Sequence, residues 1–243
     1  MKTAFYSGAS GLTAQQNAMD TIGNNLANIN TDGYKKQGVS FDSLLYREMY
    51  ANAPGNPLNG SGVKAVSAGI DFGQGLIRET GGELDFAIMG EGLFAVNNND
   101  QVQYTRDGNF SISRKGNYGY LVAADGAFVL DSRKNKIRLK VDSSTGQFDL
   151  SEATDKVGVF RFDNPGRLEP ASGNRYAPTP ESGEAVRLKA KEYTIRSGCL
   201  EGSGTNLTDE MANLIAAQRA YQLSARVVQT ADENEQVINN LRR

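Results

Sequence analysis

Apolar residues recur every seven positions at both ends of this chain, and no other feature constrains the fold as strongly. At the front, Phe5, Leu12, Met19 and Leu26 form one file, with Ile22 and Ile29 three residues beyond its last two members. At the back, Leu207, Leu214, Tyr221 and Val228 form a second file, flanked by Met211 and Ala225. A period of seven, filled in at three or four, returns side chains to one stripe of a helix and makes the seam of a coiled coil. Residues 30–206 have a different character, so the chain must double back for the stripes to meet. A lone helix of this length is marginal in water. Each stripe therefore needs a covering surface, which implies a protein completed by its neighbours.

The front helix is expected to start between Thr3 and Ser10, loosened by Gly8 and Gly11, and to run to about Ile29. Asn30-Thr31-Asp32-Gly33, a run of turn formers ending in glycine, stops it. Its polar face carries Gln15, Gln16, Asn17, Asn24, Asn25 and Asn28 against one charge, Asp20. Exposed helices commonly carry Lys/Glu pairs. An amide-rich, nearly uncharged face suits contact with other subunits or the wall of a shared channel; the plainer alternative is an ordinary solvated face. The back helix opens at Asn206 or Thr208, either of which can cap it. Asp209 and Glu210 in its first turn, and Arg242 and Arg243 in its last, both suit the helix dipole. Beyond Val228 the stripe shifts towards Ala231, Ile238 and Leu241, marking a bend or a change of partner.

Between the helices the pattern changes. Phe41, Leu44, Leu45 and Tyr46 form a short apolar cluster, followed by a breaker-rich loop over 51–62. From about Val63 to Ile195 the period is two: Leu84, Phe86 and Ile88 alternate with small or polar residues, as do Ile137, Leu139 and Val141. Asp107-Gly108 between 101–106 and 109–113 predicts a hairpin, and Asp125-Gly126 between 118–123 and 127–130 predicts another. Asn97-Asn98-Asn99-Asp100 lacks the glycine and distal glutamate of a calcium loop and reads as a β-turn. The expected fold is mainly β with terminal α-helices: an irregular antiparallel β domain over about 63–197, and N- and C-terminal helices that pair as a coiled coil. As domains, 1–32 and 205–243 form the helical part, 33–62 a connecting segment and loop, and 63–204 the central β domain.

Composition narrows the function. The chain has 243 residues, a net charge of −2, one cysteine, and neither histidine nor tryptophan. Without histidine the usual general base, the histidine triads and most zinc sites are gone. Near-neutral charge argues against a general nucleic-acid binder and removes a barrier to self-association. Cys199 can form no intrachain disulfide and reads as a small packed residue. The opening fifteen residues contain one lysine and no continuous apolar run, so a cleaved secretory signal is not expected. Gly-x-Gly triplets at Gly73, Gly90 and Gly202 do not extend to a dinucleotide fingerprint. Glu83, Asp85 and Glu91 are the nearest approach to paired carboxylates, but Glu83 and Asp85 share the outward face of one expected strand. No catalytic, metal or cofactor residue is assigned, and no small-molecule substrate is expected.

Gly11-Leu12-Thr13-Ala14-Gln15-Gln16 and Asn24-Asn25-Leu26-Ala27-Asn28-Ile29-Asn30-Thr31-Asp32-Gly33-Tyr34-Lys35 resemble the front signature of the bacterial flagellar rod and hook proteins. Gln74-Gly75, Leu84-Asp85-Phe86-Ala87-Ile88-Met89-Gly90-Glu91-Gly92-Leu93-Phe94 and Tyr104-Thr105-Arg106-Asp107-Gly108-Asn109-Phe110 are similar to its central part. Phe162-Asp163-Asn164-Pro165, Ser182-Gly183-Glu184-Ala185 and the ending Glu210-Met211 through Gln218-Arg219-Ala220-Tyr221 continue the resemblance in order along nearly the whole chain. Met19 to Asn25 and Phe41 to Tyr46 are most similar to the distal-rod members. Two departures keep a proximal rod or hook paralogue open: the loop from Arg47 to Gly62 is short, and Ser203-Gly204-Thr205 stands where the family has Ser-Asn-Val. The resemblance implies a non-enzymatic structural subunit of the flagellar basal-body rod, a hollow drive shaft from motor to hook. It also implies export by the flagellar type III apparatus, terminal segments that order on assembly, and rod and hook subunits as partners. On that reading Leu12, Met19, Ile22, Leu26, Ile29, Leu207, Met211, Leu214, Tyr221 and Val228 form the polymerisation seam, and the six amides the channel face. The rival from another class is a cell-wall hydrolase or wall-binding module assisting rod passage, which would need working carboxylates such as Glu83.

Overall fold

Both seven-residue periods fold as helices. A computed structural model describes residues 2–48, 58–98, 100–115, 118–140, 148, 153–189 and 192–241. Residues 51–57 of the breaker-rich loop, Asn99, Val141, Arg242 and Arg243 lie outside the described residues. Three α-helices form among the described residues: α1 (Lys2–Ala27), the single turn α2 (Ala153–Lys156) and α3 (Leu207–Leu241). The strands that follow α1 are β1 (Gln37–Ser43), β2 (Tyr46–Glu48), β3 (Leu58–Gly60), β4 (Val63–Ile70) and β5 (Ile77–Glu79). Next come β6 (Phe86–Met89), β7 (Leu93–Asn98), β8 (Gln101–Thr105), β9 (Phe110–Lys115), β10 (Tyr118–Ala123), β11 (Phe128–Val129) and β12 (Arg138–Lys140). Beyond α2 lie β13 (Val159–Arg161), β14 (Glu169–Ala171), β15 (Arg175–Ala177), β16 (Val186–Arg187), β17 (Thr194–Ser197) and β18 (Cys199–Glu201). The protein is thus mainly antiparallel β with a helix near each end.

Packing divides the chain into two units. One holds Met1–Ala27, Gln37–Ala68 and Asn206–Arg243; the other holds Asn28–Lys36 and Gly69–Thr205. The segment read from sequence as a connector, 33–62, is therefore shared out: residues 33–36 fall in the β-rich unit and its remaining described residues, 37–48 and 58–62, in the helical one.

In the helical unit α1 ends at Ala27, two residues earlier than expected, and Thr31 N–H bonds back to Asn28 O at 3.1 Å. Asn206 Oδ1 accepts Thr208 N–H at 3.0 Å and caps α3, satisfying a donor that has no partner inside the helix. The strands β1 and β4 pair, as do β2 and β3. Ser10 Oγ accepts the Val63 N–H at 3.2 Å and ties β4 to α1.

Among the described residues the β-rich unit holds a ten-stranded sheet running β12-β10-β11-β7-β8-β15-β14, with β13 pairing β7 and β16 and β9 pairing β10, and two two-stranded sheets, β6 with β17 and β5 with β18. Phe86, Phe94, Phe110, Leu121 and Val129 fill one buried cluster; Leu93, Tyr104, Phe160 and Phe162 fill a second. Burying each such side chain contributes about 1.5–3 kcal/mol. Two sequence expectations are corrected here. The Asp107-Gly108 turn does not join a hairpin, because β8 pairs with β7 and β15 while β9 pairs with β10. Instead Gly108 brings the backbone against β6, where Phe86 N–H donates to Gly108 O at 3.0 Å and a Cβ would overlap the Phe86 carbonyl. Nor does alternation hold over 84–88: Phe86, Ala87 and Ile88 are all buried, because β6 is covered on both faces. The Asp125-Gly126 hairpin does form between β10 and β11, with Gly126 at φ +87°.

Candidate assembly interface

The α1–α3 pair is antiparallel. A Cβ on Gly8 would lie 2.8 Å from Val228 Cγ2, one on Gly11 would lie 3.1 Å from Ser224 Oγ, and Asn25 Nδ2 donates to Glu210 Oε2 at 3.3 Å. The buried line of α1 is Gly8, Gly11, Ala14, Ala18 and Asn25. On α3 the side facing it runs Glu210, Leu214, Ala217, Tyr221, Ser224, Val228 and Ala231, which keeps the seven-residue period. Small residues on α1 let the two backbones approach closely. Larger ones would hold them apart.

That geometry sorts the residues expected at the seam. Leu214, Tyr221 and Val228 lie on the face of α3 towards α1 and are half-buried. Leu12, Met19, Ile22 and Leu26 are half-buried beside the small-residue line, and Ile29 is half-buried in the turn beyond α1. Leu207 and Met211 are exposed on α3, together with Ile215, Leu223 and Val227, which the sequence reading did not single out. The apolar cluster after α1 is also largely uncovered: Phe41 and Tyr46 are exposed, and Leu45 is 86% exposed.

The six amides separate as well. Gln16, Asn17 and Asn24 are exposed, with Gln16 Nε2 bonded to Asp20 Oδ1 at 2.8 Å. Gln15 is half-buried, and Asn28 sits in the turn where its Oδ1 accepts from Thr31 Oγ1 at 3.1 Å. Asn25 is buried, and its side chain brackets the backbone of Gln37, giving to its carbonyl and accepting from its N–H, both at 2.9 Å. Asn25 is a packing residue of the helical unit.

Sequence periodicity missed the strongest polar feature of the chain. Inside the β-rich unit Lys35 Nζ contacts Glu201 Oε1 at 2.6 Å, and Arg106 Nη1 contacts Glu201 Oε2 at 3.1 Å. The Lys35 and Glu201 side chains are wholly excluded from water. Lys35 also donates to Gly73 O at 2.7 Å, Gly75 N–H donates to Glu201 Oε1 at 2.8 Å, and Arg106 reaches the carbonyls of Ile88 and Gly90. Burial pushes the Lys35 ammonium below its ordinary pKa, more than Glu201 holds it up, and does the same to Arg106. Lys35 and Arg106 stand inside the sequence runs quoted above, but a buried charge has no periodic signature. Its partners come from 166 and 95 residues away.

Arg106 also lines a cleft of about 670 Å³ with Phe72, Glu91, Arg161, Phe162 and Asp163. Its charged groups balance in sign. Glu83 is exposed in a turn and Asp85 bridges Asn109, so the two carboxylates do not share a strand face as the sequence suggested. Among the described residues no helix is long and apolar enough to cross a membrane.

Comparison with known proteins accords with this arrangement. Residues 5–35 match the family model "Flagella basal body rod protein", 87–155 the "Flagellar hook protein FlgE/F/G D1 domain", and 196–241 the "Flagellar basal body rod FlgEFG protein C-terminal". The chain is 33% identical to the flagellar basal-body rod protein FlgG of Bacillus subtilis and 32% identical to that of Borreliella burgdorferi, in both cases over 100% of each chain. It is 30% identical to the flagellar basal-body rod protein FlgF of Mesorhizobium japonicum, over 99% of this chain and 98% of that one. Full-length similarity at this level, with the helical ends and the central β region matched in order, shows that the chain belongs to the flagellar basal-body rod protein family and is a structural, non-enzymatic component of the basal-body rod, nearest its distal-rod members.

Proposed function

We propose that this rod subunit self-associates through the apolar residues its helices leave uncovered, and that the product is a helical tube. One observation carries the reading: α3 buries only one of its stripes, leaving Leu207, Met211, Ile215, Leu223 and Val227 exposed. Large apolar side chains left exposed in number along one helix mark a surface for contact with other molecules. A repeating head-to-tail contact that does not close on itself builds a filament. Leu12, Met19 and Leu26 on α1 add to the same surface, while Leu214, Tyr221 and Val228 hold α1 and α3 together as a short antiparallel coiled coil. Gln16, Asn17 and Asn24 are the amides available to line the channel, where a weakly charged wall would not trap passing chains.

Ile215→Asp tests the assembly surface, because Ile215 lies away from the α1 side of α3. The expected result is loss of filament formation and motility with the monomer's circular dichroism unchanged. Motile cells carrying Ile215→Asp overturn the reading. Leu214→Asp is expected to abolish assembly too, by separating α1 from α3, while leaving the β-rich unit folded. A filament reconstruction with Gln16, Asn17 and Asn24 on the outer surface rejects their channel role.

The subunit leaves the cell through the flagellar type III apparatus with its helical unit unfolded, and that unit orders on docking with neighbouring rod or hook subunits. Limited proteolysis of the monomer is expected to trim both helical ends and leave a resistant core. The core should retain residues 28–36, since Lys35 is buried against Glu201. Rapid removal of 28–36, or protease-resistant helices in dilute monomer, counts against this order of events.

A further inference from the structure

Gly33, Tyr34 and Lys35 follow α1 closely in the chain, and Glu201 to Gly204 closely precede α3. Within the β-rich unit these two segments are joined three ways. Gly33 N–H donates to Glu201 O at 2.6 Å, Gly204 N–H donates to Tyr34 O at 2.8 Å, and Lys35 Nζ meets Glu201 Oε1 at 2.6 Å. We propose that this junction is a clasp that delivers α1 and α3 to one another, so that their pairing is a short-tether event.

The physical argument is chain entropy. Along the covalent path, residues 28–206 separate the two helices. With the clasp closed, only residues 28–32 and 205–206 lie along the chain between the junction and the two helices. Loop-closure cost grows with the logarithm of loop length, so shortening the flexible path raises the effective concentration of one helix at the other. Charge arithmetic isolates the clasp's front arm: Lys35 and Arg106 are two cations against one anion, Glu201. Lys35→Met removes the ionic link of that arm, keeps its two backbone links, and leaves a neutral Arg106–Glu201 pair within the β-rich unit. The inference concerns the isolated monomer, so it can fail while the polymer reading survives, and the reverse.

The register set by Gly8 against Val228, Gly11 against Ser224 and Asn25 against Glu210 places buried Ala18 opposite buried Ala217. In the full chain, Ala18→Cys with Ala217→Cys gives a thiol pair whose effective concentration is read from its equilibrium with glutathione in dilute monomer. Lys35→Met, which weakens the clasp without abolishing its backbone links, is expected to lower that value severalfold. A twelve-residue Gly/Ser insertion after Asn30 leaves the clasp intact, lengthens the tether, and is expected to lower it roughly fivefold. Tyrosine fluorescence against urea shows whether the β-rich unit stays folded in each variant. If Lys35→Met unfolds that unit, the insertion decides alone. An unchanged effective concentration in the insertion variant, or in a Lys35→Met chain with its β-rich unit intact, overturns the proposal.

Discussion

Between α1 and α3 the glycines Gly8 and Gly11 face Val228 and Ser224, while the β-rich unit is filled by Phe86, Phe94, Phe110, Phe160 and Tyr104. The helices turn small residues inward and leave Leu207, Met211 and Ile215 outside; the sheet turns its aromatics inward and even takes Lys35, Arg106 and Glu201 out of water. The contrast teaches which part is finished alone. A unit that buries its large side chains holds most of its stability within one chain. A unit that exposes them keeps that free energy for contact with other molecules.

The sharpest break in the comparison is Glu201→Gln. It leaves two buried cations without an anion and is expected to cost the β-rich unit about 3–5 kcal/mol, read from urea unfolding by tyrosine fluorescence. An effect below about 1 kcal/mol would mean that the buried charges are idle, and the two units would then differ only in apolar packing.

Alkaline pH should separate the units next. Burial raises the Tyr104 hydroxyl from 10.0 to about 12. The unfolded chain releases that proton first, so it binds fewer protons than the folded one across this window. The stabilisation is complete below pH 10 and is lost as pH rises towards 12, amounting to roughly 2–3 kcal/mol. Lys35, shifted downward from 10.5, works in the opposite sense below that pH. Comparing Tyr104→Phe with the parent isolates the tyrosine: burial also raises Tyr176 and Tyr193, so the variant should keep a shallower alkaline decline in β-unit stability, and an identical decline rejects the assignment.

Overpacking the helix junction is a smaller blow. Gly8→Leu would drive a side chain into Val228 and is expected to weaken α1–α3 pairing by about 1–3 kcal/mol, seen as reduced helicity and poorer assembly. Gly23→Ala makes the matching gentle test, because nothing lies within 4 Å of its added Cβ. It should strengthen α1 by about 0.5–1 kcal/mol with assembly unchanged. A stabilising Gly8→Leu would refute the close-approach role of that glycine.

Much of the fold was legible locally. The seven-residue files of Leu12 to Leu26 and Leu207 to Val228 marked both helices, and Asp125-Gly126 marked a real hairpin, because both signals depend on neighbours a few residues apart. Asp107-Gly108 carried the same dipeptide but misled, since the partner of β9 is β10 rather than β8. That choice depends on how a whole sheet closes, with Gly108 fitted under Phe86. Asn25 looked like one more amide on a polar face until Gln37 and Glu210 enclosed it.

The amino-acid order by itself determined that two helices would form near the ends, that strands would fill the middle, and that chemistry requiring histidine was closed to this chain. Tertiary structure decided which stripe of each helix meets the other, and that Lys35, Arg106 and Glu201 share one dry site. The reason is range. Secondary structure follows from side chains a turn or a pleat apart, whereas a helix's inward face and a charge's burial are set by groups brought from far along the chain.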